Sequence, residues 1–201
     1  RHHRRRLVQV VLLLVGAGLL VRTMVEMQRA DAGFQPAGLT SARIQLPEAR
    51  YPKREQRHVV YDEVIQRVRA MPGVSEVTWA VGVPPRTGMT FGELEIEGKP
   101  FKQNERVSAI WSQYTTPEYF RLMRQPLVAG RTFGPDSSGR EVVINEAMAR
   151  RYWPAESAVG RHLRLGPKDE WSTVVGVAGN VRVPSTGRRT GGSMDFQMYF
   201  P

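Results

Sequence analysis

The chain has 201 residues, 41% of them hydrophobic, a formal net charge of +10 and no cysteine, which excludes a disulfide framework and thiolate metal sites. Arg1, Arg4, Arg5 and Arg6 crowd the first six residues and the remaining positive charge is spread thinly. A nucleic-acid reader would gather it on one face with aromatics interleaved; this distribution excludes that partner class and points to an anionic membrane surface.

Residues 1–6 form a basic flank and residues 7–27 read as a transmembrane helix. From Leu7 to Val21 only Gln9 is polar; Arg22 interrupts, and Thr23 to Val25 follow. A spanning helix needs about 17–25 residues, and Leu7 to Val25 reaches the lower limit if Arg22 snorkels its guanidinium toward the headgroups. Basic flanks stay in the cytoplasm, so Arg4, Arg5, Arg6 and Arg22 are candidate membrane-orienting residues, with the rest of the chain outside the cytoplasm. Two further readings stay open: a signal peptide cleaved at Ala30-Asp31-Ala32, beyond Arg22, Glu26 and Arg29, and a buried core helix. The first residue is Arg1 rather than Met, as expected of a piece of a longer protein.

Residues 28–37 read as a stalk that breaks at Gly33, Phe34 and Pro36. Thr40 to Leu46 alternates as a half-buried strand. Arg54 to Met71 is predicted to be an amphipathic helix, because Val60, Tyr61, Val64, Ile65, Val68 and Met71 share one stripe; Pro72-Gly73 ends it. Val74 to Val83 alternates again and completes a strand–helix–strand unit. Phe91 to Gly98 is a predicted strand with Glu93, Glu95 and Glu97 on a wet face, and Val107 to Tyr114 is another. Thr116 is placed to cap a short helix over Pro117 to Met123. Glu141 to Ile144 is a β-branched strand, and Asn145 can cap a helix from Glu146 to Trp153 that Pro154 ends. Strands at His162 to Leu165, Ser172 to Val177 and Phe196 to Phe200 complete an α+β pattern.

Motifs of chemistry are missing from the sequence. It has no phosphate loop of the form G-x-x-x-x-G-K-[ST] and no G-x-S-x-G elbow. His2, His3, His58 and His162 form no metal-ligand spacing, and Glu93, Glu95 and Glu97 are more simply a solvated strand face than the carboxylate pair of a glycosidase. Arg150 and Arg151 likewise read as a solvated helix face.

The ordered set of LLLVGAGLLVRT at the apolar run, DAGF from Asp31 to Phe34, Pro72-Gly73-Val74, PLVAGRTF from Pro126 to Phe133 and VVINEAMARRYWP from Val142 to Pro154 resembles the MacB-type ABC-transporter permeases. VGRHLRLG from Val159, VVGVAGNVR from Val174 and MYFP from Met198 continue the likeness over nearly the whole chain. The resemblance implies a periplasmic core domain preceded by one transmembrane helix and followed by three more, in the bacterial inner membrane. It further implies a porter-like lobe, 38–83 and 172–201, with a mostly β lobe inserted at 84–171. The expected partners are membrane lipid, a separate cytoplasmic ATPase that handles ATP and magnesium, a second copy or a duplicated half of the permease, and a periplasmic adaptor; no nucleic acid and no cofactor are expected in this chain. Glu26, Arg29 and Phe34 are candidates for coupling motion through the stalk. The alternative is a membrane-anchored binding or scaffold module without transport, and a secreted enzyme is a more distant third.

Overall fold

A computed structural model describes residues 2–29, 33–47, 49–82, 89–91, 94–99, 110–134, 137, 139–183 and 196–201. The chain divides into two units, Arg1–Ala32 and Gly33–Pro201.

The first unit is helix α1, His2–Arg29. Among its described side chains, Leu13, Leu14, Leu19, Leu20 and Val21 are exposed. Arg22 pairs with Glu26 one turn on, Nε to Oε1 at 2.9 Å, and the Thr23 hydroxyl donates to the Leu19 carbonyl at 2.8 Å. The backbone of Arg4, Arg5, Arg6 and Arg29 lies in α1, whereas their side chains fall outside the described residues. Among the described residues no helix is long and apolar enough to cross a membrane.

The second unit starts with helix α2, Arg54–Arg69. Its stripe of Val60, Tyr61, Val64, Ile65 and Val68 is half-buried, and Met71, expected to belong to it, is exposed beyond the helix end. The strands expected at Thr40 to Leu46 and Val74 to Val83 do not form: no ladder is present among their described residues, and one isolated bridge joins Ala80 to Thr115. Alternation supplies a face to bury, but a strand also needs a run of partners for its backbone groups; among the described residues of these segments cross-strand pairing stops at that bridge and the Val81 N–H donated to the Tyr114 carbonyl at 3.0 Å.

Among the described residues, eight strands make one sheet. They are β1 (Met89–Phe91), β2 (Glu95–Ile96), β3 (Ile110–Tyr114), β4 (Leu127–Gly130), β5 (Glu141–Asn145), β6 (His162–Arg164), β7 (Ser172–Ala178) and β8 (Phe196–Phe200). The order is β1-β3-β8-β5-β7-β6-β2, with β4 added to β7. The β3/β8 and β5/β7 pairs are parallel and the others antiparallel. The single strand expected over Phe91 to Gly98 is instead the end of β1 and the short β2, with Glu93 outside the described residues. Strand pairing joins segments far apart in sequence, β3 with β8 and β5 with both β7 and β8.

Side chains alternate between the two sheet faces, so the neighbours Val142, Val143 and Ile144 serve two cores. Val142 and Ile144 join Val174, Met198, Leu163 and helix α4 (Glu146–Tyr152) through Met148. Val143 joins Trp111, Val175, Tyr199 and helix α3 (Glu118–Leu122) through Tyr119 and Phe120. Asn145 caps α4 as expected, accepting from the Met148 N–H at 3.2 Å. Thr116 is not the cap of α3, whose preceding residue is Pro117 with no side-chain cap. At the β4/β7 contact a Cβ on Gly130 would strike the Val175 carbonyl, and one on Gly176 the Arg131 carbonyl; only glycines permit this approach.

Candidate functional site

Within the second unit, residues 33–39 are held against the α3 corner and residues 180–181. Gly33 has φ +78 and leaves no room for a Cβ against the Asn180 carbonyl and Val181. Phe34 packs on the aromatic core of α3, and Leu39 joins it. The Gln35 N–H donates to the Met123 carbonyl at 3.1 Å, and the Gln35 side chain accepts from Arg124 at 2.6 Å.

The backbone that Gly33 touches belongs to a polar network that runs from the exposed Asn180 to the buried Asn145, Gln197 and Gln125. The Asn180 side-chain oxygen accepts from Asn145 at 2.8 Å and from the Ala147 N–H at 3.0 Å. Asn145 Oδ1 accepts in turn from the Gln197 N–H at 3.2 Å. The Gln197 amide grips Val181 at both ends, accepting from its N–H at 3.2 Å and donating to its carbonyl. The Tyr199 hydroxyl donates to Gln197 at 3.2 Å and accepts from Gln125 at 2.9 Å, and Gln125 also donates to the Gly179 carbonyl at 2.7 Å. Burial, reinforced by nearby Tyr119, pushes the Tyr199 phenol well above its ordinary value. These are neutral amides and a protonated phenol, so the network fixes geometry and moves no proton near neutral pH.

Of the expected coupling residues, Phe34 packs half-buried against the core of the second unit, Glu26 pairs with Arg22 on its own helix, and the Arg29 side chain lies outside the described residues. Gln125, Asn180 and Gln197 were not singled out by sequence; the available signal was a glutamine within the apolar run FQMYF. Glu95 and Glu97 meet side chains of β6: Glu95 holds Arg164 at 2.5 Å, and Glu97 meets His162 Nδ1 at 2.6 Å. Among the described residues no group of three or more His, Asp or Glu could hold a metal ion.

A family model described as the MacB-like periplasmic core domain matches residues 8–201, including most of α1. The chain belongs to this family. The MacB-like core domain is the extracytoplasmic part of ABC-type permeases. Among solved structures, the periplasmic region of MacB from Actinobacillus actinomycetemcomitans is similar at 17% identity and a TM-score of 0.47, over 70% of this chain and 54% of that one. The extracellular domain of the noncanonic ABC-type transporter YknZ from Gram-positive bacteria is similar at 20% identity and a TM-score of 0.46, over 70% and 61%. The chain thus spans less than two thirds of the length of either. No curated protein matches it.

Proposed function

We propose that this MacB-like domain is anchored in the bacterial cytoplasmic membrane by residues 7–27, lies outside the cytoplasm, and transmits motion powered by a separate cytoplasmic ATPase to export or extraction of a substrate. ATP and magnesium belong to that partner, and the permease works as a pair of copies or of duplicated halves, with a periplasmic adaptor. The observation that carries the reading is the seating of Gly33, Phe34 and Gln35: the residues that follow α1 in sequence are wedged against Asn180 and bonded to Met123. A displacement arriving along the chain at Gly33 would meet the network through Asn180, Asn145 and Gln197 rather than a loose linker. Packed interiors have two arrangements more readily than a continuum, which suits them to pass on such a shift.

Three features support the anchor. Helix α1 has 28 residues, about 42 Å at 1.5 Å each; its described leucines are exposed; and the family match starts within it. The basic Arg4, Arg5 and Arg6 would hold its start in the cytoplasm, with Arg22 at the far side neutralised by Glu26.

The test is Gly33→Val in the complete permease with its ATPase. The side chain cannot fit against Asn180, so transport should fall at least tenfold while nucleotide binding by the ATPase is unchanged. Full transport by this variant would count against coupling through residues 33–35.

A further inference from the structure

The turn that ends α3 ties residues 33–35 to the polar network through a side chain as well as through backbone. At that end the Arg124 N–H donates to the Arg121 carbonyl at 3.1 Å, and the Gln125 N–H reaches back to the Phe120 carbonyl at 2.9 Å. A two-bond turn of this kind needs its middle residue in the left-handed region, where glycine is the usual occupant. Here the occupant is Arg124, at φ 52°, and every other described residue at positive φ is a glycine. The backbone of the turn gains nothing from a side chain at this position and is strained by one. The arginine is therefore explained by what its side chain holds.

That side chain is exposed, and its guanidinium donates to Gln35 Oε1 at 2.6 Å. One residue earlier, the Met123 carbonyl lies at the helix end, where carbonyls lack intrahelical partners, and it accepts from the Gln35 N–H at 3.1 Å. One residue later the chain turns inward. Gln125 is buried and donates to the Gly179 carbonyl at 2.7 Å and to the Tyr199 hydroxyl at 2.9 Å. Gly179 precedes Asn180, whose carbonyl Gly33 abuts. Residues 33–35, 123–125 and 179–180 thus close a triangle. Its sides are the Gly33 approach to Asn180, the bonds from Gln35 to Met123 and Arg124, and the bond from Gln125 to Gly179.

We propose that Arg124 is a positioning residue that turns the seat of residues 33–35 into a two-point clamp. A single backbone bond from Gln35 to Met123 leaves the segment able to rotate about it; the second bond, from Arg124, fixes its orientation on the α3 turn. A displacement at Gly33 then moves Gln125, and with it the Gly179 and Tyr199 groups that Gln125 holds, instead of being lost in a pivot. The planar guanidinium suits this use, because it is pre-organised and gives up little freedom per hydrogen bond. The inference rests on the coupling reading above and adds to it the side chain that stiffens the joint.

The experiment measures transport in the complete permease with its ATPase, and melting and amide exchange on the full chain in detergent, for Arg124→Gly, Arg124→Lys and Gly33→Val. Arg124→Gly removes the tie and relaxes the turn, since glycine accepts positive φ freely. Its thermal midpoint should be unchanged or raised, and the Gln35 amide should exchange at least tenfold faster while the Gln125 amide, which reports the turn, stays protected. Transport should fall at least fivefold with nucleotide binding unchanged. Arg124→Lys keeps a donor for Gln35 and should transport within twofold of the parent. Full transport by Arg124→Gly when Gly33→Val is inactive would overturn the clamp alone, whereas full transport by both would overturn the coupling reading and the clamp with it. A lowered midpoint or unchanged Gln35 exchange in Arg124→Gly, or a lysine variant as inactive as the glycine one, would also overturn the proposal.

Discussion

Gln197→Leu is the substitution whose cost follows most directly from the polar network. Leucine fits the volume but carries neither amide atom. The Val181 N–H, donated to Gln197 at 3.2 Å, and the Val181 carbonyl, which accepts from the same amide, both lose their partner, in a residue only 3% exposed. The Tyr199 hydroxyl keeps Gln125. Each orphaned buried backbone group costs about 1–3 kcal/mol, and the greater apolarity of leucine returns about 1–2 kcal/mol. The net loss is roughly 0–5 kcal/mol, centred at ~2–3 kcal/mol, against a domain stability of about 5–15 kcal/mol. Urea unfolding followed by tryptophan fluorescence reads it, since Trp111 stacks edge-on to Tyr199 at 5.8 Å; amide exchange at Val181 reads it locally. An unchanged midpoint with Val181 still protected would refute the assignment of this glutamine as the clamp on residue 181.

Gly176→Ala drives a Cβ into the Arg131 carbonyl, so β4 must part from β7, and we expect a loss of about 2–4 kcal/mol with β4 amides exchanging first. Asn145→Ala removes the α4 cap and the acceptor for the Gln197 N–H together; chemical denaturation should show a loss of about 2–4 kcal/mol, above the ~1 kcal/mol of a cap alone. The Arg131 guanidinium holds the Glu141 carboxyl below its ordinary 4.5, against desolvation and with help from the Gly134 N–H. A depressed carboxylate stabilises the fold above its unfolded value and stops doing so as pH falls through the folded one. Unfolding midpoints should therefore drop below about pH 4.5, with a smaller drop in Glu141→Gln.

The centre of the sheet was legible because local rules agreed there. β5 is a β-branched run ended by a capping asparagine, and β7 and β8 are apolar stretches buried on both faces, as central strands are. The segments at 40–46 and 74–83 show the limit of such rules: their alternation is real, yet pairing is decided by what lies alongside. β4 failed in the other direction, since LVAG is exposed throughout and owes its place to the glycines at the β7 contact. The candidate site was half-readable. Phe34 follows the apolar run closely enough to be suspected, whereas Asn180, Gln197 and Gln125 are brought together only by the parallel crossovers of the sheet.

The placement of the domain outside the cytoplasm, on a spanning α1, can be tested directly because the chain has no cysteine of its own. Ala155→Cys puts a thiol on an exposed turn of the second unit, and His3→Cys puts one at the start of α1. With the outer membrane opened and the inner membrane intact, a membrane-impermeant maleimide should label Cys at 155 fully and Cys at 3 only after lysis. Labelling of position 3 before lysis, or protection of position 155 until lysis, would contradict the account.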